Sequence, residues 1–179
     1  MRCFIAIDLP KEVKEKLVKI IEKLPKEISR FKAVEKENLH LTLKFLGEIN
    51  DYKVNWVIEQ LKNLNIKKFK AYTKGIGFFP NENFIRVVWI GLEPQEIIKE
   101  IHEKIDKVLE REFKKDKKFE SHITLARIKN IKDKRKFIEE IKKIKVPEIE
   151  FEVNEIKLKR SKLTRDGPIY SDIYVFKLN

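Results

Sequence analysis

Apolar residues along this chain follow two rhythms. In the first they gather in short runs. Cys3–Ile7, Leu39–Leu46, Phe69–Gly77 and Ile85–Leu92 are dense in Ile, Val, Leu and aromatic residues and read as strands. In the second they recur every three or four positions. Val13, Leu17, Ile20, Ile21 and Leu24 do so after Pro10, and Val54, Ile58, Leu61 and Leu64 form another set. Ile97, Ile98, Ile101, Ile105, Val108 and Leu109 follow Pro94, and Phe137, Ile138, Ile141 and Ile144 come later. Lys and Glu fill the positions between, so each set predicts an amphipathic helix. The prolines stand at helix starts, where a missing N–H is harmless. Further strands are expected around His122, at Ile149–Val153 and in the closing "DIYVFKL". "FFPNEN", residues 78–83, reads as a turn, and the Arg-, Gly- and Pro-bearing stretch before the last strand reads as a loop.

The order strand–helix–strand–helix–strand therefore occurs twice. Pro10 pairs with Pro94, His40 with His122, Asp51 with Asp133, Val54 with Phe137 and Phe69 with Phe151, at offsets of 82 to 84 residues. This implies an internal repeat, roughly residues 1–85 and 86–179, within a single domain of 179 residues. The expected class is α+β: a bilobal, pseudo-twofold fold with two mainly antiparallel sheets, helices packed outside and a central cleft.

Composition adds little that is specific. Lys and Arg number 41 against 29 Asp and Glu, a net charge of +12, which attracts polyanions without naming one. The charged share of 39%, with few Gly, Met and Cys, suits a chain built for heat through surface ion pairs. The lone Cys3 allows neither an internal disulfide nor a cysteine metal site, and is read as a small core residue. No apolar run approaches the roughly eighteen residues of a membrane span, and the first run is too short for a signal peptide, so a cytoplasmic protein is expected.

The chemistry lies in two matching stretches, "HLTLKFLG" from His40 and "HITLARIK" from His122. The chain has only three histidines, and two of them stand two residues before a threonine, Thr42 and Thr124. Strand alternation places His40, Thr42 and Lys44 on one face, with Leu41, Leu43 and Phe45 toward the core. The same rule separates His122 and Thr124 from Ile123 and Leu125. A single strand histidine is usually a packing residue, but two in matching tetrapeptides point to shared work. Brought together across a cleft, they offer an acid and a base for a phosphodiester, with hydroxyls to hold its oxygens. His102, on a helix among Lys and Glu, is expected to be solvated. Two histidines are one short of a catalytic zinc set, and no His-Glu-x-x-His or Asp-rich motif supplies the rest. No metal or cofactor is expected. Gly75-Ile-Gly77 is too short for a phosphate loop.

Together with "RCFIAIDLP", "GIGFFPNENFIRVVWIGL" and "SKLTRDGPIY", these signatures resemble the two-histidine phosphoesterases. More narrowly they resemble the RNA 2′,3′-cyclic phosphodiesterases, also called 2′-5′ RNA ligases. The resemblance implies metal-independent opening of a 2′,3′-cyclic phosphate at an RNA 3′ end to leave a 2′-phosphate. His40 would be the proton donor and His122 the proton acceptor, with Thr42, Thr124 and Arg127 binding phosphate. Arg127 has strand parity opposite to His122, so it reaches the cleft only if the strand twists or ends near Ala126. Its counterpart in the first half is Phe45. Phe78, Phe79 and Phe84 are candidates to stack a base or to pack a hairpin. Ser161, Leu163, Gly167 and Tyr170 match a cleft-lining pattern. Lys159, Arg160, Lys162 and Arg165 would meet RNA phosphates or solvent. The implied partner is an RNA 3′ end with a cyclic phosphate, met by a monomer. Two other readings stay open: ATP-independent 2′-5′ ligation at the same site, and a basic RNA-binding module without catalysis.

Overall fold

Each amphipathic set folds as its spacing predicts. In the computed structural model, which describes residues Met1–Asn179, the helices are α1 (Lys11–Glu22), α2 (Asp51–Lys62), α3 (Gln95–Leu109) and α4 (Lys134–Lys142). Val13, Leu17, Ile20 and Ile21 are the buried stripe of α1. α2 and α4 begin alike: the side chain of Asn50 accepts from Lys53 N at 2.9 Å, and that of Asp133 from Lys136 N at 3.1 Å. Each cap satisfies an amide that has no partner inside the helix. No helix is long and apolar enough to cross a membrane.

The strands are β1 (Arg2–Asp8), β2 (Ser29–Ala33), β3 (His40–Glu48), β4 (Phe69–Asn81), β5 (Phe84–Glu93), β6 (His122–Ile131), β7 (Glu150–Val153), β8 (Glu155–Thr164) and β9 (Gly167–Lys177). The fold is α+β with a curled antiparallel sheet. Where two sheets were expected, one nine-stranded sheet runs β7-β4-β5-β6-β3-β1-β8-β9, with β2 added along β6. A single residue pair, Leu41 with Ile123, joins β3 to β6 and so joins the two wings.

The wings exchange strands. β4 pairs with β5, while β8 returns to pair with β1. Helix α3 packs behind β3 and β5, and α1 against β6. The core between helices and sheet is built from fully buried side chains such as Leu41, Leu43, Ile90, Leu92, Ile98 and Ile105.

Three segments differ from expectation. β2 reads Ser-Arg-Phe-Lys-Ala and buries none of its residues fully, so it carries little apolar signal. The stretch expected as a loop before the last strand is the hairpin β8–β9, whose outer residues from Arg160 to Thr164 extend beyond the core. Residues 78–81 belong to β4, and the turn is confined to Glu82 and Asn83.

Candidate active site

His40 opens β3 and His122 opens β6. Both face one cleft of about 740 Å³, which Thr42, Thr124 and Arg127 also line. The strands themselves explain how Arg127 gets there. Ala6 pairs with Thr42 and Ile5 with Lys44, so Leu43 is left out of register. Trp89 pairs with Thr124 and Val88 with Ala126, so Leu125 is left out in the same way. Each is a β-bulge, which inserts one residue and reverses the alternation beyond it.

Two consecutive side chains therefore point inward on each strand, Leu43 with Lys44 and Leu125 with Ala126. The next residue returns to the cleft face: Phe45, 72% exposed, on β3, and Arg127 on β6. Regular alternation places Phe45 in the core and Lys44 beside His40. The bulge reverses both, and it removes the parity objection to Arg127.

The imidazoles are held at the same atom. His40 Nδ1 donates to the Asn38 carbonyl at 2.6 Å, and His122 Nδ1 to the Glu120 carbonyl at 2.7 Å. Each acceptor lies two residues before its histidine. A carbonyl can only accept, so the neutral ring carries its proton on Nδ1 and leaves the lone pair on Nε2. Here the two differ. His40 Nε2 lies 2.7 Å from Thr42 Oγ1, whereas His122 Nε2 has no intramolecular partner.

Aromatic rings fix the ring planes. Tyr170 meets His40 edge-on at 5.3 Å, with Phe4 at 5.1 Å. Phe79 meets His122 edge-on at 4.8 Å and rests on Trp89 at 5.0 Å. The Trp89 indole lies across Gly77, where a Cβ would come within 2.2 Å of the ring. Burial pushes the His40 pKa below its ordinary value, offset in part by the Asn38 carbonyl and the Asp8 carboxylate. Burial lowers His122 too, with the Glu120 carbonyl opposing and the Arg127 charge adding to the effect.

Among the other sequence candidates, Phe79, Ser161, Leu163, Gly167 and Tyr170 line the cleft. Phe78 does not: its ring packs beside Phe137 at 6.4 Å. Phe84 sits at the β4–β5 tip beneath the Arg86 guanidinium. Lys159 is buried and held by Asp8 at 3.0 Å and Asp172 at 2.9 Å, so it is not a loose phosphate contact. His102 is 3% exposed rather than solvated, and it stacks on Phe119.

Sequence reasoning missed Phe4 and Asn38. Asn38 is the more telling. Its carbonyl anchors His40, and its side-chain Nδ2 donates to the Pro168 carbonyl at 2.9 Å, tying the β8–β9 tip to the histidine. Its position two residues before the motif was the available signal.

The fold and site thus define an α+β protein whose two wings each aim one backbone-anchored imidazole into a shared cleft. The family described as LigT like Phosphoesterase matches the chain over residues 7–89 and again over 90–170, and the chain belongs to that family. It is 43% identical over 177 residues to the RNA 2′,3′-cyclic phosphodiesterase of Methanocaldococcus jannaschii, covering 97% of this chain and 98% of the relative. It is 37% identical over 182 residues to the protein of that name from Archaeoglobus fulgidus, covering 99% and 100%. A crystal structure from Thermus thermophilus superposes with a TM-score of 0.80 at 30% identity, covering 99% of this chain and 98% of that one. E. coli LigT complexed with 3′-AMP gives 0.78 at 26% identity, covering 99% and 97%.

Proposed function

We propose that this chain hydrolyses RNA 2′,3′-cyclic phosphate ends to 2′-phosphates without a metal, using His122 as base and His40 as acid. The observation that carries this reading is the pair of Nδ1-anchored imidazoles in one cleft with Arg127. The names of the relatives at 43% and 37% identity support the substrate class.

Water approaches phosphorus beside His122, whose Nε2 lone pair accepts its proton as the new P–O bond forms. The P–O3′ bond breaks, and His40 Nε2–H delivers its proton to the departing O3′. His122 ends protonated and His40 neutral, and solvent resets both. Each positioned transfer typically contributes about 10²–10⁴-fold. The Arg127 guanidinium and the hydroxyls of Thr42 and Thr124 hold the non-bridging oxygens as charge grows there.

The contrast at Nε2 supports the assignment within the pair. His122 presents its lone pair without an intramolecular partner. His40 must first take up a proton, and the bound phosphate anion opposes the lowering that burial imposes. The donor set favours a metal-free site. Three metal-competent side chains converge within 4.8 Å only at His102, Asp106 and Asp116, away from the cleft, and the Lys44 ammonium already lies among them. One chain supplies both histidines, so a monomer suffices.

The test is an RNA oligonucleotide ending in a 2′,3′-cyclic phosphate, incubated in EDTA with wild type, His40→Ala and His122→Ala. Wild type is expected to leave a 2′-phosphate, and the folded variants essentially none. A strict need for added divalent metal would overturn the metal-free mechanism. A 3′-phosphate product would show that the other bond breaks. A 2′-5′ linked product with a 5′-hydroxyl RNA present would show ligation, and RNA binding with no product would leave only a binding module.

A further inference from the structure

We propose that Lys44 and His102, which lie outside the cleft, are positioning residues that set the separation of the two histidine strands. The proposal rests on the reading of the cleft given above. β3 and β6 share one residue pair, Leu41 with Ile123, so the ladder alone fixes their relative placement weakly. Behind them, on the side away from the cleft, lies a buried polar cluster. The Lys44 side chain is 2% exposed. Its ammonium is 2.5 Å from Asp106 Oδ1 and 3.4 Å from Asp116 Oδ1, and donates to the Lys114 carbonyl at 2.9 Å. His102 donates from Nδ1 to the Leu43 carbonyl at 2.7 Å. Its Nε2 faces Asp106 Oδ2 at 3.3 Å and Asp116 Oδ2 at 3.5 Å. The imidazole stacks on Phe119 at 4.1 Å and 14°.

The connectivity gives the cluster its meaning. Leu43 and Lys44 are the bulge that directly follows Thr42 on β3. Asp116 and Phe119 belong to the segment that leads into His122. His102 and Asp106 sit on α3, which packs against β3. The Asp116 amide also donates to Asp106 Oδ2 at 3.0 Å. The cluster therefore fastens one histidine strand, just past its motif, to the entry of the other. His102 also occupies the Leu43 carbonyl, the backbone group that the bulge turns out of register. A buried ion pair of this kind adds little net stability over apolar packing, so its contribution lies in the geometry it specifies.

The test is the double variant Lys44→Met with Asp106→Leu, which removes the pair without leaving either charge stranded. Melting temperature, steady-state kinetics on the cyclic-phosphate RNA and a crystal structure are compared with wild type. The expected outcome is a wild-type-like melt, KM within about twofold and kcat lowered about 10–100-fold, since an error of ~1 Å in placement is enough for that. The distance between the two Nε2 atoms should change correspondingly. Wild-type kcat with an unchanged distance overturns the proposal, as does a fall in kcat that merely tracks loss of folded protein. If the double variant does not fold, His102→Leu is set against His102→Asn, whose amide nitrogen takes the place of Nδ1 and can still donate to the Leu43 carbonyl. A lower kcat in the Leu variant, recovered in the Asn variant, supports the proposal, and wild-type kcat in the Leu variant overturns it. A wild type inactive on cyclic phosphate defeats the proposed function alone. The Nε2 separation in the variant crystal then decides the positioning role.

Discussion

The strands β3 and β6 bend at equivalent residues yet are braced by different means. At β6 the out-of-register Leu125 carbonyl accepts from the Val34 amide at 2.9 Å, just beyond β2, and the inward residue after it is a small alanine, Ala126. At β3 the Leu43 carbonyl accepts from the His102 imidazole, and the inward residue is a lysine paired with the buried Asp106 carboxylate and the exposed Asp116 carboxylate. One brace is backbone pairing and the other is side-chain chemistry. The cleft face differs as well: β6 delivers a guanidinium where β3 delivers a phenyl ring. A common strand geometry can thus be met by unlike local solutions, and that leaves the exposed position after each bulge open to a different task.

The largest effect should come from the pair that the two strands hold in common. His40→Ala and His122→Ala are each expected to lower kcat about 10²–10⁴-fold while the circular-dichroism spectrum and a cooperative melt are retained. The double variant should be little worse than the worse single one, because the two act as a unit. Independent, multiplying losses would argue against paired acid and base roles. Next come the positions where the strands differ. Arg127→Ala should cost kcat about 10²–10³-fold by removing a fixed donor at the developing charge. Phe45→Ala should mainly raise KM, by about fivefold or more if a base stacks there. Matching kinetic losses in the two variants would erase the distinction.

A smaller effect concerns pH. Burial lowers both imidazole pKa values in the free protein. The bell for kcat/KM should therefore have both limbs below the ordinary histidine value of about 6.5. Bound phosphate raises the imidazoles, so the alkaline limb of kcat should lie higher than that of kcat/KM. Limbs above about 6.5 in kcat/KM would contradict the burial argument.

The smallest effect is on stability. Below about pH 6.5 the unfolded chain takes up protons at these two positions before the folded chain does, so folding weakens as pH falls through that range. Above it both states are neutral and the contribution is level. Thermal melts of His40→Gln/His122→Gln should show a flatter acid limb than wild type, and identical limbs would mean that the histidines do not contribute.

Much of this was legible in the chain itself. Period-3.6 spacing found all four helices, because each buries one stripe against the sheet. The shared His-x-Thr pairs located the cleft strands, because the cleft face of β3 and β6 needs polar residues where a buried strand would not have them. What stayed hidden has physical causes. A bulge adds a residue without leaving any mark in a run of apolar side chains, so simple alternation puts Phe45 and Lys44 on the wrong faces and gives Arg127 no route to the cleft. His102 sits among Lys and Glu in sequence, but its partners Leu43, Asp116 and Phe119 come from two other segments. β2 and the outer part of β8–β9 pair as strands over the cleft rim, where hydrogen bonding, not burial, holds them, and hydropathy cannot report that.

The return of β8 to β1 also has a consequence for synthesis. Ala6 cannot meet Lys157 until Lys157 itself has left the ribosome. At about 5–20 residues per second, one edge of β1 stays open for on the order of ten seconds. Antiparallel contact with β3 can form meanwhile, but the sheet closes only through contacts of very long sequence separation, a topology that folds slowly. An open strand edge of Phe, Ile and Ala is a template for unwanted pairing. A nascent chain halted before Glu155 should therefore be protease-sensitive and aggregation-prone even though both histidine motifs are already present.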